Sequence, residues 1–241
     1  MHPTVGTRPL LIALVSALII VSATGCSRTP ADSSAEAGFA RDMATHHAQA
    51  VEMGFLLRDR TRDEPLRALA ADIIVTQSTQ RGIFMAWLQA WGLPQASPGP
   101  RMAWMSGAEP MPSMHPGQPM TGSMSPGGPA TTSTPLMVGM ASDEELDALR
   151  RAAGHEAEVL FLQLMIRHHQ GGVLMARALL ERSGRGDVTP LVRAIESGQA
   201  GETTTMTALL RERGAEPLPS LLHEDARGAS GADAGPSAPR R

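Results

Sequence analysis

Apolar residues recur along four stretches of this chain at three- and four-residue spacing, the pattern of helices that bury one face. Phe39, Met43, Ala50 and Met53 form one stripe while Arg41, Gln49 and Glu52 fall elsewhere on the wheel, which predicts a helix from about Ala35 to Arg58. Polar residues 59–64 interrupt it. Pro65 suits the first turn of a second helix, which runs through Leu66, Leu69, Ile73, Ile74, Gln77, Phe84, Trp87 and Leu88 to a Gly92-Leu93-Pro94 stop. Further on, Ser142 followed three residues later by Glu145 reads as a capping box. It opens a helix through Leu146 and Leu149 that bends at Gly154 and reaches Leu180. A last helix covers roughly Val188 to Arg213. Two hairpins of this kind bury their stripes best against each other, so the expected fold is all-α, a four-helix bundle with pseudo-two-fold symmetry.

The chain also repeats itself. At an offset of 122 residues Glu36 meets Glu158, Phe39 meets Phe161, Met43 meets Met165, and His46-His47 meet His168-His169. The same offset pairs Val51 with Val173, Met53 with Met175, Ile73 with Ile195, Gln77 with Gln199, Leu88 with Leu210 and Gly92 with Gly214, with no gap. The foldable part is therefore one supersecondary unit written twice, hairpin 1 over 35–92 and hairpin 2 over 142–215. Between them, 93–141 is dense in Pro, Gly, Ser and Met and reads as a flexible linker; 216–241, rich in Ala, Gly, Pro and Ser, reads as a disordered tail.

The N-terminus adds a cellular address. His2 and Arg8 precede an apolar run from Leu10 to Val21, too short to span ~30 Å of hydrocarbon and suited to the core of a signal peptide. The run ends in Ser22-Ala23-Thr24-Gly25-Cys26, which resembles the lipobox of bacterial lipoproteins. Residues 1–25 are thus expected to be removed, Cys26 to carry lipid, and 26–34 to space the bundle from the outer face of a membrane. Cys26 is the one cysteine, which excludes a disulfide framework and any Cys-based zinc, redox or c-type haem site. Without residues 1–25 the charge is 20 Arg against 24 acids, or −4, with no basic block, so nucleic acid is not expected as a partner.

Candidate chemistry sits on the doubled Met-x-x-His-His. Residues three and four apart share a helix face, so Met43 lies beside His46 and His47, and Met165 beside His168 and His169. If the pseudo-axis brings these helices together, up to four imidazoles and two thioethers converge. Gln77, Gln80, Gln199, Glu202 and Met206 on the opposing helices are possible secondary donors. Imidazole with thioether suits copper, as Cu(I) or Cu(II), better than zinc. Adjacent histidines point about 100° apart on a helix, so one of each pair is equally free to face a neighbour and only hydrogen-bond. Met53 and Met175 read as core filler. Glu36 and Glu158 lie ~15 Å along the helix from the histidines and read as polar partners near the helix starts. In the linker, Met111, Met114 and His115 belong to a Met-rich string able to capture Cu(I), to act as an oxidant sink, or merely to space the hairpins.

The segments Phe39-Ala-Arg-Asp-Met43-Ala-Thr-His46-His47 and Phe161-Leu-Gln-Leu-Met165-Ile-Arg-His168-His169-Gln-Gly-Gly closely resemble the two hallmark segments of the domain-of-unknown-function 305 family. The resemblance implies a ferritin-like four-helix bundle in secreted bacterial proteins, some of them linked to copper binding or tolerance, and carries no settled enzymatic activity. The family's Gln-x-x-Glu stands as Gln199 and Glu202, while Gln80 replaces the glutamate in the first half. A di-iron centre would need Glu-x-x-His, and Met43 and Met165 hold those positions. No Gly-x-Ser-x-Gly motif supports hydrolysis. The expectation is a non-enzyme, a lipid-anchored copper-binding module with a copper-handling protein or a second copy as possible partners. A structural or partner-binding envelope module without metal is the alternative.

Overall fold

A computed structural model describes residues 28–105 and 137–223. Cys26 and the linker residues Met111, Met114 and His115 lie outside the described residues.

Helix α1, Ala35–Arg60, starts where the Ser34 hydroxyl accepts the Ala37 N–H, and α2, Glu64–Ala90, starts where the Asp63 carboxylate accepts the Leu66 N–H. Each cap satisfies a donor that the first turn leaves without a partner. Hairpin 2 departs from expectation. The capping box of Ser142 and Glu145 opens only a short helix, α3, Asp143–Arg151. The chain then breaks at extended Ala152 and Ala153, Gly154 takes φ +53°, and α4 runs Gly154–Arg182. The predicted bend is thus a full break, because burial of Leu146 and Leu149 holds α3 on the core while the Arg60 guanidinium takes the Arg150 carbonyl at 2.8 Å. Helix α5 covers Thr189–Glu212.

The bundle is all-α among the described residues. Helix α1 packs on α2 and α4 on α5, with α1 and α4 in contact at the centre. Two apolar clusters fill it. Ala50, Met53 and Leu57 of α1 meet Phe161, Leu162 and Met165 of α4 in one; Phe39 and Met43 meet Met175, Ala176 and Leu179 in the other. The end of one central helix therefore packs on the start of the other, so α1 and α4 run antiparallel. A matched pair of ties fastens their ends. Glu36 accepts a hydrogen bond from Ser183 beyond α4 at 2.6 Å, and Glu158 accepts one from Thr61 beyond α1 at 2.5 Å.

Parts of the segments expected to be flexible pack on this frame. The buried Asp42 carboxylate accepts the Met102 N–H at 2.8 Å and the Trp104 indole N–H at 2.9 Å, and Trp104 meets Phe39 edge to face. Residues 137–141 form a strap across α1 and α4 in which Met137 and Ala141 are buried. The Gln49 amide exchanges hydrogen bonds with the Ala141 backbone at 2.9 and 2.8 Å. Beyond α5, the Leu221 N–H donates to Gln170 at 3.0 Å and Leu218 packs on the first cluster. Apolar side chains within polar stretches account for the difference: each removes enough surface from water to hold its neighbours.

The strap demands glycine on α4. A Cβ on Gly171 would overlap the Val138 carbonyl and approach Gly139 Cα to 2.9 Å, and Gly139 itself sits at φ +82°. Gly171→Ala is expected to destabilise the chain by about 1–3 kcal/mol, read as a lower urea midpoint, since the backbone must move to admit one methyl.

Candidate metal centre

A polar belt divides the two apolar clusters. On α1 the fully buried positions run Phe39, Met43, His46, His47, Ala50, Met53, and on α4 Phe161, Met165, His168, His169, Val173, Met175. Helices α2 and α5 add Gln77 and Gln199, each almost wholly buried. Burial of six polar side chains at one level of a small bundle calls for partners.

The imidazoles are placed in pseudo-symmetric pairs. The rings of His46 and His168 face each other across the centre with centroids 3.7 Å apart and planes 33° from parallel. His47 lies 6.4 Å from His46, and His169 lies 6.3 Å from His168, so the outer rings flank the inner pair equally. Every Nε2 has an oxygen opposite it: Val138 O for His46 at 3.2 Å, Gln80 Oε1 for His47 at 2.8 Å, the His46 carbonyl for His168 at 3.0 Å, and Glu202 Oε2 for His169 at 2.7 Å. A neutral ring opposite an oxygen acceptor carries its proton on that nitrogen and donates it.

That assignment leaves four Nδ1 lone pairs. All four are buried with no hydrogen-bond partner among the described residues, as are both amide atoms of Gln77 and Gln199. Each such atom costs roughly 1–3 kcal/mol in lost hydration. The rings of His46, His47 and His168 remain uncharged at neutral pH. Burial pushes His46 and His47 down to about 3, helped by the neighbouring His169 and, for His47, by His46; burial and the other three histidines push His168 well below the ordinary range. Uncharged imidazole with an open lone pair is the form that ligates a metal.

The thioethers of Met43 and Met165 are fully buried one turn before the histidines. Met206 is buried with Met53 and Leu210 in the first apolar cluster. Glu202 and Gln80 work through the far nitrogens of His169 and His47, orienting the rings. Among the described residues no three His, Cys, Asp or Glu side chains surround one point, because neighbouring histidines diverge on their helix. The structure brings the imidazoles together in pairs, with the buried Met43 and Met165 thioethers one turn away on the same helices, and imidazole with thioether fits a soft ion better than a hard one. Sequence reasoning missed the strap carbonyl that fixes His46. Its one outward sign is the Gly171-Gly172 pair in mid-helix.

Comparison with known proteins adds the following. The model of DUF305, a domain of unknown function, matches residues 36–210. A crystal structure of a candidate secreted DUF305 protein from Streptomyces coelicolor is 42% identical, with 78% of this chain and 99% of that chain covered and a TM-score of 0.65. A DUF305 fragment from Deinococcus radiodurans is 32% identical over 74% of this chain and 96% of that chain, at a TM-score of 0.54. CopM in its Cu(II)-bound form is 26% identical over 72% and 94%, at 0.51. Comparison with curated protein sequences gives no match.

Proposed function

This chain belongs to the DUF305 family, and on that footing we propose that it is an exported, non-catalytic binder of copper, carried as cargo by the buried histidine belt. The observation that carries the reading is the set of four buried Nδ1 atoms without partners among the described residues, on helices that also bury the Met43 and Met165 thioethers one turn away. His46 and His168 would supply the inner donors, His47 and His169 the outer ones. The Cu(II)-bound form of CopM, a relative of shared fold, supports copper as the cargo, and the same protein is also solved in a silver-bound form. Export accords with the secreted character given for the Streptomyces relative. Among the described residues no helix is long and apolar enough to cross a membrane. The proposed anchorage is lipid at Cys26, which the lipobox-like Ser22-Ala23-Thr24-Gly25-Cys26 supports. Copper would be sequestered there or handed to a copper-handling protein.

The two halves differ in one respect that bears on affinity. His169 donates to the Glu202 carboxylate, whereas His47 donates to the neutral Gln80 amide. A carboxylate behind an imidazole raises the donor strength of its other nitrogen. Glu202→Gln is therefore expected to weaken copper binding by about 10–100-fold, and Gln80→Glu to strengthen it.

The test is a competition titration of the full chain with Cu(I) and with Cu(II), beside the quadruple His46, His47, His168, His169→Ala variant. Submicromolar binding lost in the variant establishes the belt as the site. Equal binding by both proteins transfers the activity to methionines elsewhere. Absence of binding to either ion removes the copper reading and leaves a partner-binding module.

A further inference from the structure

The belt is wholly buried, so an ion needs a way in. Helices α2 and α5 scarcely touch each other, while the α1/α2 and α4/α5 seams are closely packed. The α2/α5 seam holds a cleft of about 80 Å3, room for a few waters. Its walls include Thr76, Gln77 and Gln80 from α2 and Gly198, Gln199 and Glu202 from α5. Two of these, Gln80 and Glu202, are the residues bonded to His47 and His169. The cleft is thus one side chain removed from the outer imidazoles.

Two more wall residues are out of the ordinary. Gln77 and Gln199 are 2% and 4% exposed, yet all four of their amide atoms lack partners among the described residues. Gln199 reaches across to α4: a Cβ on Gly172 would overlap its Oε1. Gly172 stands three residues beyond His169, on the same helix face. The amide therefore runs from the wall of the cleft to α4, one turn from His169. A fixed structural role would give it hydrogen bonds; an amide left open on both atoms suits a group that exchanges partners.

A larger cavity of about 460 Å3 borders Arg41, Asp42, Thr45 and Arg101. A cation there meets guanidinium groups, and Asp42 is already bonded to Met102 and Trp104. The α2/α5 cleft carries no arginine and has the Glu202 carboxylate, so its field draws cations in.

We propose that the α2/α5 cleft is the port through which a soft cation enters and leaves the histidine belt, with the Gln77 and Gln199 amides as the transient donors it crosses. This rests on the belt reading above. A port sets rates, and it changes approach and escape alike. Equilibrium affinity is left where the belt sets it.

Gly198 offers a clean test, because a Cβ there meets nothing within 4 Å. Gly198→Leu lays an apolar side chain over the cleft and favours the helix. The full chain, Gly198→Leu and the double Gln77→Leu, Gln199→Leu variant are mixed with Ag(I) and with Cu(II) in a stopped-flow instrument. The readout is the quenching of the three tryptophans, and release is followed into excess chelator. Thermal melts confirm that each variant is folded. The expected result is that Gly198→Leu slows binding and release each by at least tenfold with Kd within about twofold of the parent. The double variant should slow both as well. Unchanged rates in a folded Gly198→Leu chain that still binds overturn the port. A raised Kd with faster release in the double variant makes the amides ligands and overturns their transient role. If the parent chain binds neither ion, the belt reading itself fails.

Discussion

Taken from pH 7 to pH 5, the metal-free chain is expected to lose on the order of 4 kcal/mol of folding stability to His46 and His47 alone, at roughly 1.4 kcal/mol per pH unit and ring. Both rings titrate near 3 when folded because burial opposes their charge, while an unfolded histidine titrates near 6.5. Between those values the unfolded chain binds more protons than the native one. Their stability is therefore complete above about pH 6.5 and is lost progressively as pH falls toward about 3. His168 is lowered by the same burial and pulls in the same direction. Glu145, lowered by its bond to Arg167, adds a loss at more acid pH, and Asp42, raised by burial, opposes it there. Against a domain stability of about 5–15 kcal/mol, the loss takes most of the stability at pH 5 only at the lower end of that range, so acid unfolding is expected below about pH 5. Urea midpoints measured from pH 8 to pH 4 check this. A flat profile down to pH 5 would show that the rings are hydrated. Copper bound to the neutral rings should move the collapse to lower pH, because only the folded state holds the site.

His168→Leu should move two measurements in opposite directions. The substitution removes a buried Nδ1 that has no partner, and the one bond it breaks, to the His46 carbonyl, ends on an oxygen already occupied within α1. Metal-free stability at pH 7 is expected to rise by about 1–2 kcal/mol. Copper affinity is expected to fall by more than about 100-fold, beyond the effect of losing an outer partner. A fall in both would mean that the imidazole belongs to the core as a structural group. No change in affinity would take His168 out of the site.

Much of this arrangement is written in side-chain spacing. The 3.6-residue stripes place α1, α2 and α5 within about two residues of their observed ends, and the 122-residue repeat brings His46 onto His168. What spacing does not carry is backbone chemistry. The strap holds α1 and α4 through the carbonyls of Val138, Met140 and Ala141, atoms that every residue type possesses. The break at Ala152-Ala153 is hidden for a related reason. Alanine favours helix, and only the burial of Leu146 and Leu149 against α1 overrides it. Within the site, the His-His pairs and their methionines are legible, whereas the ring nitrogen left open depends on which oxygen lies opposite the other one.

The strap also settles how the duplicated halves relate as parts. Residues 137–141 precede hairpin 2 in the chain, yet Val138 serves His46 of hairpin 1, and His168 turns instead to the backbone of His46. The inner histidines are thus matched in position and unmatched in dependence. A chain made of hairpin 1 duplicated would lack the strap oxygen that orients His46 here, whereas hairpin 2 with its strap carries one to offer. Separated into two polypeptides, the halves would be a donor and a recipient, hairpin 2 bringing with its strap the oxygen that orients the inner ring of hairpin 1.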